Sequence, residues 1–338
     1  MIGIGLVGYG YWGPNLARNI ARRADCRLVT ICDRSPARAE VARQHFPHTH
    51  VTTEFEEMLA DPAIDAIVVA TPVEAHFRLA SAALEAGKDV LVEKPLTADV
   101  AEAEALVDLA RRKGRILAVD HTFLFTGAVM RMRQLVESGE IGDVVYMDSV
   151  RVNLGLFQHD VNVIWDLAPH DLSIFQYVTG LRPTAVRALG HRTHSDLHES
   201  VAYVHLEYGG ASVAHCHLNW VSPVKLRISM FGGTKKMIVY DDMEHSEKIK
   251  IYDKGVTVSD IDRDTYNKVR VDYRTGDMWA PKLSMREALD LEVEEFVACV
   301  RDRTRPRVDG EFGLDIVRQL AACQASIDAG GERVEIAR

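Results

Sequence analysis

The triplet Glu93-Lys94-Pro95 places an acid–base side chain where a proton could be transferred. It follows the apolar run Val90–Val92, and ligands of parallel sheets bind at the carboxyl ends of such strands. Partial desolvation or a nearby cation would lower the proton affinity of Lys94 enough for acid or base work. A solvated lysine in a turn is the alternative, although Pro95 fixes the backbone there and favours a positioned side chain.

A second motif, Asp166-x-x-x-His170, pairs a carboxylate with an imidazole. Because proline is tolerated in the first turn of a helix, Pro169 predicts a helix that starts near Asp166 and runs to about Val178. The spacing of four then puts Asp166 and His170 on one face. An imidazole is the usual proton acceptor for an alcohol under oxidation. A buried Asp/His pair that caps the helix fits the same spacing.

A glycine-rich turn near the start of the chain predicts a dinucleotide site. The apolar run Met1–Val7 leads into Gly8-x-Gly10-x-x-Gly13, and a helical run from Pro14 follows. In this arrangement Gly8 permits the tight turn, Gly10 lets a pyrophosphate approach the backbone, and Gly13 lets the helix pack closely on the strand. The helix N-terminus then faces the phosphates.

Cofactor choice depends on Asp33-Arg34, at the end of the second predicted strand, Cys26–Cys32. A carboxylate at this point can accept both adenosine-ribose hydroxyls and repels a 2′-phosphate, which favours NAD. Arg34 could instead hold that phosphate while Asp33 turns away, so NADP is the alternative cofactor.

The pattern of elements predicts two domains in an α/β chain. Strands and helices alternate over residues 1–121, which is typical of an N-terminal Rossmann fold, a doubly wound parallel sheet. Residues 122–338 predict a C-terminal α+β domain for substrate binding and oligomerisation. It is built on a large, open, mainly antiparallel sheet, because consecutive strands are joined by Gly209-Gly210 and Gly232-Gly233. Residues 253–280 are charged and irregular, and they predict a loop over an open sheet face.

Composition limits the class of protein. The 338 residues are 47% hydrophobic and 26% charged, with a net charge of −9, which describes a soluble globular protein and disfavours a nucleic-acid partner. No apolar run predicts a membrane span or a secretory signal. Five scattered cysteines predict reduced thiols in a cytoplasmic protein. Five histidines could be drawn as a metal site, but no cysteine or acid completes a recognised spacing, so no metal is predicted. They are His191, His194, His198, His215 and His217.

Together, the glycine-rich turn, the Glu93-Lys94-Pro95 triplet and Asp166-x-x-x-His170 resemble, in order and spacing, the Gfo/Idh/MocA family of oxidoreductases. Thr71-Pro72 with His76 resembles it as well. The resemblance implies NAD or NADP in the Rossmann domain and oxidation or reduction of a secondary alcohol on a sugar, cyclitol or nucleotide-sugar. It also implies that Lys94, Asp166 and His170 line the reaction site. Many members have a glycine-rich segment where this chain has Val161–Trp165, and an arginine near Asp120–Phe123.

The leading hypothesis is an NAD(P)-dependent dehydrogenase that interconverts a ring hydroxyl and a ketone. Nucleotide-sugar and amino-sugar or aminoglycoside substrates are favoured, with a separate transamination as a following step. An inositol or free-sugar dehydrogenase is the alternative. Other classes are a non-catalytic NAD(P)-binding redox sensor or co-regulator, and a glycosidase that retains NAD. In oxidation, His170 is expected to take the hydroxyl proton and Lys94 to bond the same oxygen, although these two roles could be exchanged. Asp166 is expected to anchor a neighbouring hydroxyl or the lysine.

The expected site residues fall into two sets. Those expected to bind the cofactor are Gly8, Gly10, Tyr11, Trp12, Gly13, Asp33, Arg34, Thr71, Pro72, His76, Glu93 and Lys94. Those expected to bind the sugar-like substrate are His121, Phe123, Arg151, Asn153, His159, Asp160, Asn162, Trp165, Asp166 and His170, with the loop around Trp279 a weaker candidate. Asn, Asp and His suit sugar hydroxyls, and an aromatic ring suits a sugar face.

Assembly is predicted from the strands of the second domain. Apolar side chains occur at both odd and even positions between Val201 and Met230, so both sheet faces carry apolar groups. An apolar face left in water costs roughly 25 cal/mol per Å². A homodimer or homotetramer through this sheet is therefore expected.

Overall fold

The computed structural model describes residues 1–155, 161–194, 198–210, 212–258 and 271–337. The α-helices of this part of the chain are α1 (Gly13–Ala21), α2 (Pro36–His45), α3 (Phe55–Ala60), α4 (His76–Glu85), α5 (Val100–Lys113), α6 (Gly127–Glu137), α7 (Val163–Thr179), α8 (Ala288–Asp302) and α9 (Gly310–Asp328). The strands are β1 (Ile2–Val7), β2 (Cys26–Cys32), β3 (His50–Thr52), β4 (Ala66–Val69), β5 (Asp89–Glu93), β6 (Leu117–Asp120), β7 (Val144–Leu154), β8 (Ala185–His191), β9 (Val201–Glu207), β10 (Val213–Asn219), β11 (Val221–Gly233), β12 (Met237–Asp241), β13 (Ile249–Tyr252), β14 (Gly255–Val258), β15 (Val271–Arg274), β16 (Met278–Trp279) and β17 (Val334–Glu335).

Six strands near the N-terminus form a parallel sheet in the order β3-β2-β1-β4-β5-β6. Every neighbouring pair in it is parallel. Strands such as Ala66–Val69 are buried along their whole length, which explains their unbroken apolar sequence. Strand order reverses between β1 and β4, so the carboxyl edge there is the expected ligand site. This confirms the predicted doubly wound Rossmann sheet.

The second sheet has nine strands in the order β16-β13-β12-β11-β7-β10-β9-β8-β17. Only β7 and β10 run parallel to each other, and the remaining neighbours are antiparallel. Helix α7 packs across β7, β9 and β10. The prediction of a large, mainly antiparallel C-terminal sheet is therefore confirmed. The predicted loop over residues 253–280 is wrong in part, because β14 pairs with β15 and β16 joins the large sheet. Residues 259–270 of this prediction lie outside the described residues.

The compact units of the chain do not coincide with the predicted division at residue 121. One unit contains residues 1–125 and 286–321, and the other contains 126–285 and 322–337. The reason is the apolar face of α8, whose Leu289, Val293 and Phe296 belong to the same buried cluster as Ile4 and Leu16. A helix late in the sequence thus completes the core of the Rossmann unit.

Helix α7 begins earlier than its proline predicts. It starts at Val163 and encloses Pro169, so the expected start near Asp166 is wrong. The side chain of Asn162 accepts hydrogen bonds from the backbone N–H groups of Ile164 and Trp165, both at 3.1 Å. This N-cap fixes the first turn before the proline, and the proline removes one later backbone hydrogen bond.

A buried ion pair ties α7 to the sheet. Arg151 on β7 donates to both carboxylate oxygens of Asp171 on α7, at 2.9 and 3.0 Å. The two side chains are only 5% and 2% exposed. Arg151, predicted as a substrate residue, therefore serves to hold the helix that carries Asp166 and His170.

We predict that Arg151→Met lowers the free energy of unfolding by about 3–5 kcal/mol, because it leaves the Asp171 carboxylate buried without its cation. Urea denaturation measures the change. The control is the double variant Arg151→Met/Asp171→Leu, which removes both charges and is expected to recover most of the loss. A single variant as stable as the parent protein would contradict the prediction.

Candidate cofactor and reaction sites

The glycine-rich turn between β1 and α1 has no room for side chains at two positions. Gly8 has a φ of 98°, and a Cβ there would lie 2.3 Å from the Ala70 carbonyl oxygen. A Cβ on Gly13 would lie 2.2 Å from the Gly8 carbonyl oxygen. The chain therefore turns tightly at Gly8 and the helix packs closely at Gly13, as the sequence predicts. The first N–H groups of α1, which lack partners inside the helix, follow this turn.

Gly10 lies next to the guanidinium of Arg38, which is not among the predicted cofactor residues. A Cβ on Gly10 would meet the guanidinium of Arg38 at 3.3 Å, and apart from the two chain neighbours no backbone atom of the described residues lies within 4 Å of it. Arg38 is exposed on the first turn of α2. Its charge suits phosphate oxygens, and the uncrowded backbone at Gly10 suits their close approach. Tyr11 is 90% exposed beside it. These residues fit a bound dinucleotide.

Asp33 uses its carboxylate to hold the turn in place. One oxygen accepts the backbone N–H of Tyr9 at 2.7 Å, and the other accepts that of Ser35 at 2.8 Å. Asp33 is only 5% exposed, whereas Arg34 is exposed. A carboxylate has about four acceptor sites, so Asp33 retains capacity for ribose hydroxyls in addition to its structural role.

His76 connects the loop after β4 to the turn after β5. Its ring nitrogens lie 2.9 Å from the carbonyl oxygens of Pro95 and Thr71. Burial lowers the pKa of His76, so the neutral ring donates to one of these oxygens at a time. His76 is 1% exposed, and it thereby positions the turn that carries the half-buried Lys94. The Lys94–Pro95 peptide is cis.

His121 follows β6 and is enclosed. It is 1% exposed, and neither ring nitrogen has a hydrogen-bond partner within the described ranges. Burial, assisted by the positive charge of Lys94, lowers the pKa of His121 to about 3. Its ring packs edge-on against Phe312, with 5.8 Å between centroids. His121 is therefore a neutral ring, and it is suited to hydrogen bonding rather than to charge stabilisation.

The second unit supplies the Asp/His pair on α7. Asp166 and His170 are one helical turn apart and half-buried, so they share a face. The indole N–H of Trp220 donates to Asp166 at 3.0 Å. Trp220 is 1% exposed, so it fixes the orientation of that carboxylate. No local sequence pattern indicates this contact, because Trp220 lies 54 residues away.

The remaining predicted substrate residues differ in how available they are. The amide oxygen of Asn162 accepts the two N–H groups of the α7 cap. Its amide nitrogen donates to Glu199 at 3.1 Å and to Gln324 at 2.7 Å. Its four hydrogen-bonding positions are therefore used by the protein. Four other predicted substrate residues are half-buried, namely Phe123, Asn153, Trp165 and Trp279. His159 and Asp160 lie outside the described residues.

Across the described residues, no group of three or more His, Cys, Asp or Glu side chains could hold a metal ion. None of the helices in the same part of the chain has the length and apolar character that a membrane crossing requires. All five cysteines are buried and carry free thiols.

Comparison with known protein families gives two adjoining matches. Residues 2–121 match the model described as "Oxidoreductase family, NAD-binding Rossmann fold". Residues 129–239 match the GFO/IDH/MocA C-terminal domain. The two matches cover the glycine-rich turn, the triplet with Lys94 and the helix with Asp166 and His170.

Two characterised relatives align over nearly the whole chain. The scyllo-inositol 2-dehydrogenase (NAD(+)) of Bacillus subtilis (strain 168) is 25% identical over 331 residues, which cover 94% of this chain and 90% of that protein. The UDP-N-acetylglucosamine 3-dehydrogenase of Acidithiobacillus ferrooxidans is 28% identical over 331 residues, which cover 96% and 97%. The chain is thus similar both to a cyclitol dehydrogenase and to a nucleotide-sugar dehydrogenase.

Solved structures agree with this similarity. UDP-N-acetylglucosamine 3-dehydrogenase GnnA from Acidithiobacillus ferrooxidans superposes with a TM-score of 0.81 at 25% identity, covering 97% of this chain and 99% of that one. GenD2 from gentamicin A biosynthesis, solved in complex with NAD, has a TM-score of 0.83 at 21% identity and covers 100% and 97%. The second likeness shows a shared fold.

The depressed pKa of His121 makes a testable contribution to acid stability. The folded protein keeps this ring neutral down to about pH 3, whereas the unfolded chain binds a proton below about pH 6.5. Stability is therefore lost as pH falls through this window, by about 2 kcal/mol at pH 5. We predict that His121→Phe removes this part of the loss between pH 7.5 and pH 5, measured by urea denaturation.

The matched control is His48→Phe, at an exposed position, which is expected to keep the pH dependence of the parent protein. Comparing two pH values for each variant cancels any pH-independent cost of the substitution. An identical loss of stability in the parent and in His121→Phe would show that His121 titrates normally.

Proposed function

Because the chain belongs to the Gfo/Idh/MocA family of NAD(P)-dependent oxidoreductases acting on CH–OH groups, we propose that it oxidises a secondary ring hydroxyl of a sugar-like substrate, or reduces the ketone. The observation that carries this proposal is the presence of three acid–base residues in a chain with a complete dinucleotide turn. Lys94 follows β5, and Asp166 and His170 share one face of α7. A redox sensor that only binds NAD(P) would have no need of all three.

In the proposed reaction the cofactor and the protein have different tasks. The nicotinamide, when bound, supplies the hydride acceptor for oxidation. The residues of this chain must orient the hydroxyl and remove one proton. In the proposed assignment His170 accepts that proton, and Lys94 donates a hydrogen bond to the substrate oxygen. Asp166, held by Trp220, binds a neighbouring hydroxyl.

The cofactor site is proposed to comprise the glycine-rich turn, Asp33, the loop from Thr71 to His76 and the turn at Glu93-Lys94. Arg38 is added because its guanidinium lies over Gly10. NAD is proposed over NADP, since the carboxylate of Asp33 repels a 2′-phosphate. Tighter binding of NADPH than of NADH in a fluorescence titration would contradict this preference.

For the substrate class, we propose a nucleotide-sugar or an amino-sugar, with a ketone product suited to later transamination. Support comes from the UDP-N-acetylglucosamine 3-dehydrogenase, which aligns with 96% of the chain at 28% identity. A cyclitol is the second candidate, because the scyllo-inositol 2-dehydrogenase aligns with 94% at 25% identity. The half-buried Asn153 and Trp165 suit the hydroxyls and ring face of either.

A homodimer, or a tetramer of such dimers, is proposed to form through the open face of the second sheet. Side chains of β9 and β10 alternate between buried and accessible, and α7 covers the buried side. On the other side Tyr203, 56% exposed, stacks on His217 with 4.6 Å between centroids. Light scattering that gives the 37.7 kDa monomer mass at micromolar concentration would contradict this assembly.

A cytoplasmic location is also proposed. All five thiols are free and buried, as expected of a protein that folds in a reducing compartment. Recovery of the protein outside the cytoplasm in cell fractionation would contradict it.

We predict that the purified protein reduces NAD⁺ with at least one member of a panel containing UDP-N-acetylglucosamine, scyllo-inositol, myo-inositol and an aminoglycoside. Nicotinamide absorbance is the measurement. Lys94→Ala and His170→Ala are each expected to lower kcat by roughly 10²- to 10⁴-fold, since the first removes the hydrogen bond to the substrate oxygen and the second removes the proton acceptor.

Lys113→Ala and His48→Ala are the matched controls, because both residues lie on the surface away from the motifs, and both variants are expected to keep the parent rate. If Lys94→Ala and His170→Ala also kept it, the proposed roles would be wrong. A rate with scyllo-inositol alone would reverse the ranking of substrates.

A further inference from the structure

Glu292, on α8, is a buried acid that the proposed reaction does not use. It is 2% exposed, and neither of its side-chain oxygens receives a hydrogen bond from any residue that the structure describes. A charged carboxylate left in this state would cost several kcal/mol. The position of Glu292 therefore requires a proton on the side chain and a neighbour that accepts a hydrogen bond from it.

That neighbour is Asp120, at the end of β6. The side chains of Glu292 and Asp120 lie within hydrogen-bonding reach of each other. Two carboxylates have only acceptor oxygens, so a hydrogen bond between them needs one proton on the pair. Thr122 also lies beside Glu292, but its single hydroxyl proton is directed at Asp120.

The surroundings decide which member holds the proton. Asp120 accepts the indole N–H of Trp12 at 3.0 Å, the backbone N–H of Thr122 at 3.2 Å and the Thr122 hydroxyl. These donors stabilise the charged form of Asp120. Glu292 has none, and burial together with the negative charges of Asp120 and Glu93 raises its pKa well above the usual range. Asp120 is therefore the carboxylate and Glu292 the neutral acid.

The hydrogen bonds then run from α8 to the cofactor turn. Glu292 donates to Asp120, and Asp120 accepts from the indole of Trp12, which lies between Gly10 and Gly13. The start of α8 also contacts α1, because Arg18 and Asn19 on α1 donate hydrogen bonds to Glu287, the residue that precedes α8. Helix α8 is thus linked to the turn through Asp120 and to α1 through Glu287.

We propose that Glu292 is a positioning residue for the dinucleotide: as a neutral carboxylic acid it donates a hydrogen bond to Asp120, and this pair holds Trp12 and the glycine-rich turn in the geometry that accepts the pyrophosphate. The inference concerns cofactor binding by the Rossmann unit. It is independent of the substrate and of the roles of Lys94 and His170.

Two substitutions of Glu292 distinguish the effect of its hydrogen-bond donor from the effect of its side-chain volume. Glu292→Gln keeps an N–H donor for Asp120, whereas Glu292→Met fills similar space without a donor. By calorimetric titration, Glu292→Gln is expected to bind NADH within about twofold of the parent protein, and Glu292→Met about tenfold more weakly. Apo melting temperatures are measured alongside. A Glu292→Met variant that melts lower yet binds NADH normally would reduce Glu292 to a structural role.

A different result would show that Glu292 is charged. In that case both substitutions relieve repulsion from Asp120, and both would raise the apo melting temperature and leave NADH binding equal or tighter. Infrared difference spectra between the apo parent protein and the apo variant test directly whether Glu292 carries a proton. The carbonyl band of a protonated carboxylic acid is expected in the parent and absent in Glu292→Gln. The control is Glu295→Gln, one turn away and paired with Arg307, which is expected to keep the band.

A double-mutant cycle tests the path through Trp12. Trp12→Phe keeps an aromatic ring but removes the N–H that Asp120 accepts. If Glu292 acts through this contact, Trp12→Phe/Glu292→Met binds NADH no more than about twofold more weakly than Trp12→Phe alone. Fully additive losses would show that Glu292 does not act through Trp12 and would overturn the proposal.

Discussion

Burial of the parallel strands on both faces is the constraint on which the site depends. The central strands β1 and β4 are buried along almost their whole length and have no polar side chains of their own, so chemistry-bearing side chains appear where the strands end. Asp33 follows β2, Thr71 follows β4, Lys94 follows β5, and Asp120 ends β6. Parallel direction brings these carboxyl ends to a single edge. The glycine-rich turn after β1 lies among them, so the topology of the sheet gathers the turn, Asp33 and Lys94 at one edge.

The polar groups at this edge also stabilise one another. Asp33 holds the turn through the N–H of Tyr9, His76 links the loops at Thr71 and Pro95, and Asp120 accepts from Trp12. In the second unit Trp220 fixes Asp166 in a comparable way. Each of these contacts satisfies a buried polar group that would otherwise cost free energy, and each also sets the orientation of a residue expected to meet cofactor or substrate. Stability and function therefore rest on the same hydrogen bonds.

Local signals made much of this predictable from the sequence. The steric limits at Gly8 and Gly13, the apolar runs of the parallel strands and the spacing of Asp166 and His170 are properties of short segments, and the structure has them as expected. The differences from expectation have two origins. A local cap by Asn162 places the start of α7 ahead of the position that Pro169 predicts. The others come from contacts between distant segments, because an ion pair with Asp171 buries Arg151 and the apolar face of α8 packs into the core of the first unit. Arg38, Trp220 and Glu292 were missed for the same reason, because their importance depends on neighbours far away in sequence.

The central claim is that the turn at Gly10 receives the cofactor, and Gly10→Ala tests it most directly. A Cβ there would meet only the flexible tip of Arg38, so the apo protein is expected to melt at the temperature of the parent. Calorimetric titration is expected to show NADH binding at least about tenfold weaker, since the methyl group occupies the space that the pyrophosphate needs. Gly210→Ala is the matched control, because apart from the chain neighbours no atom of the described residues lies within 4 Å of the added Cβ. Unchanged NADH affinity in Gly10→Ala would contradict the account.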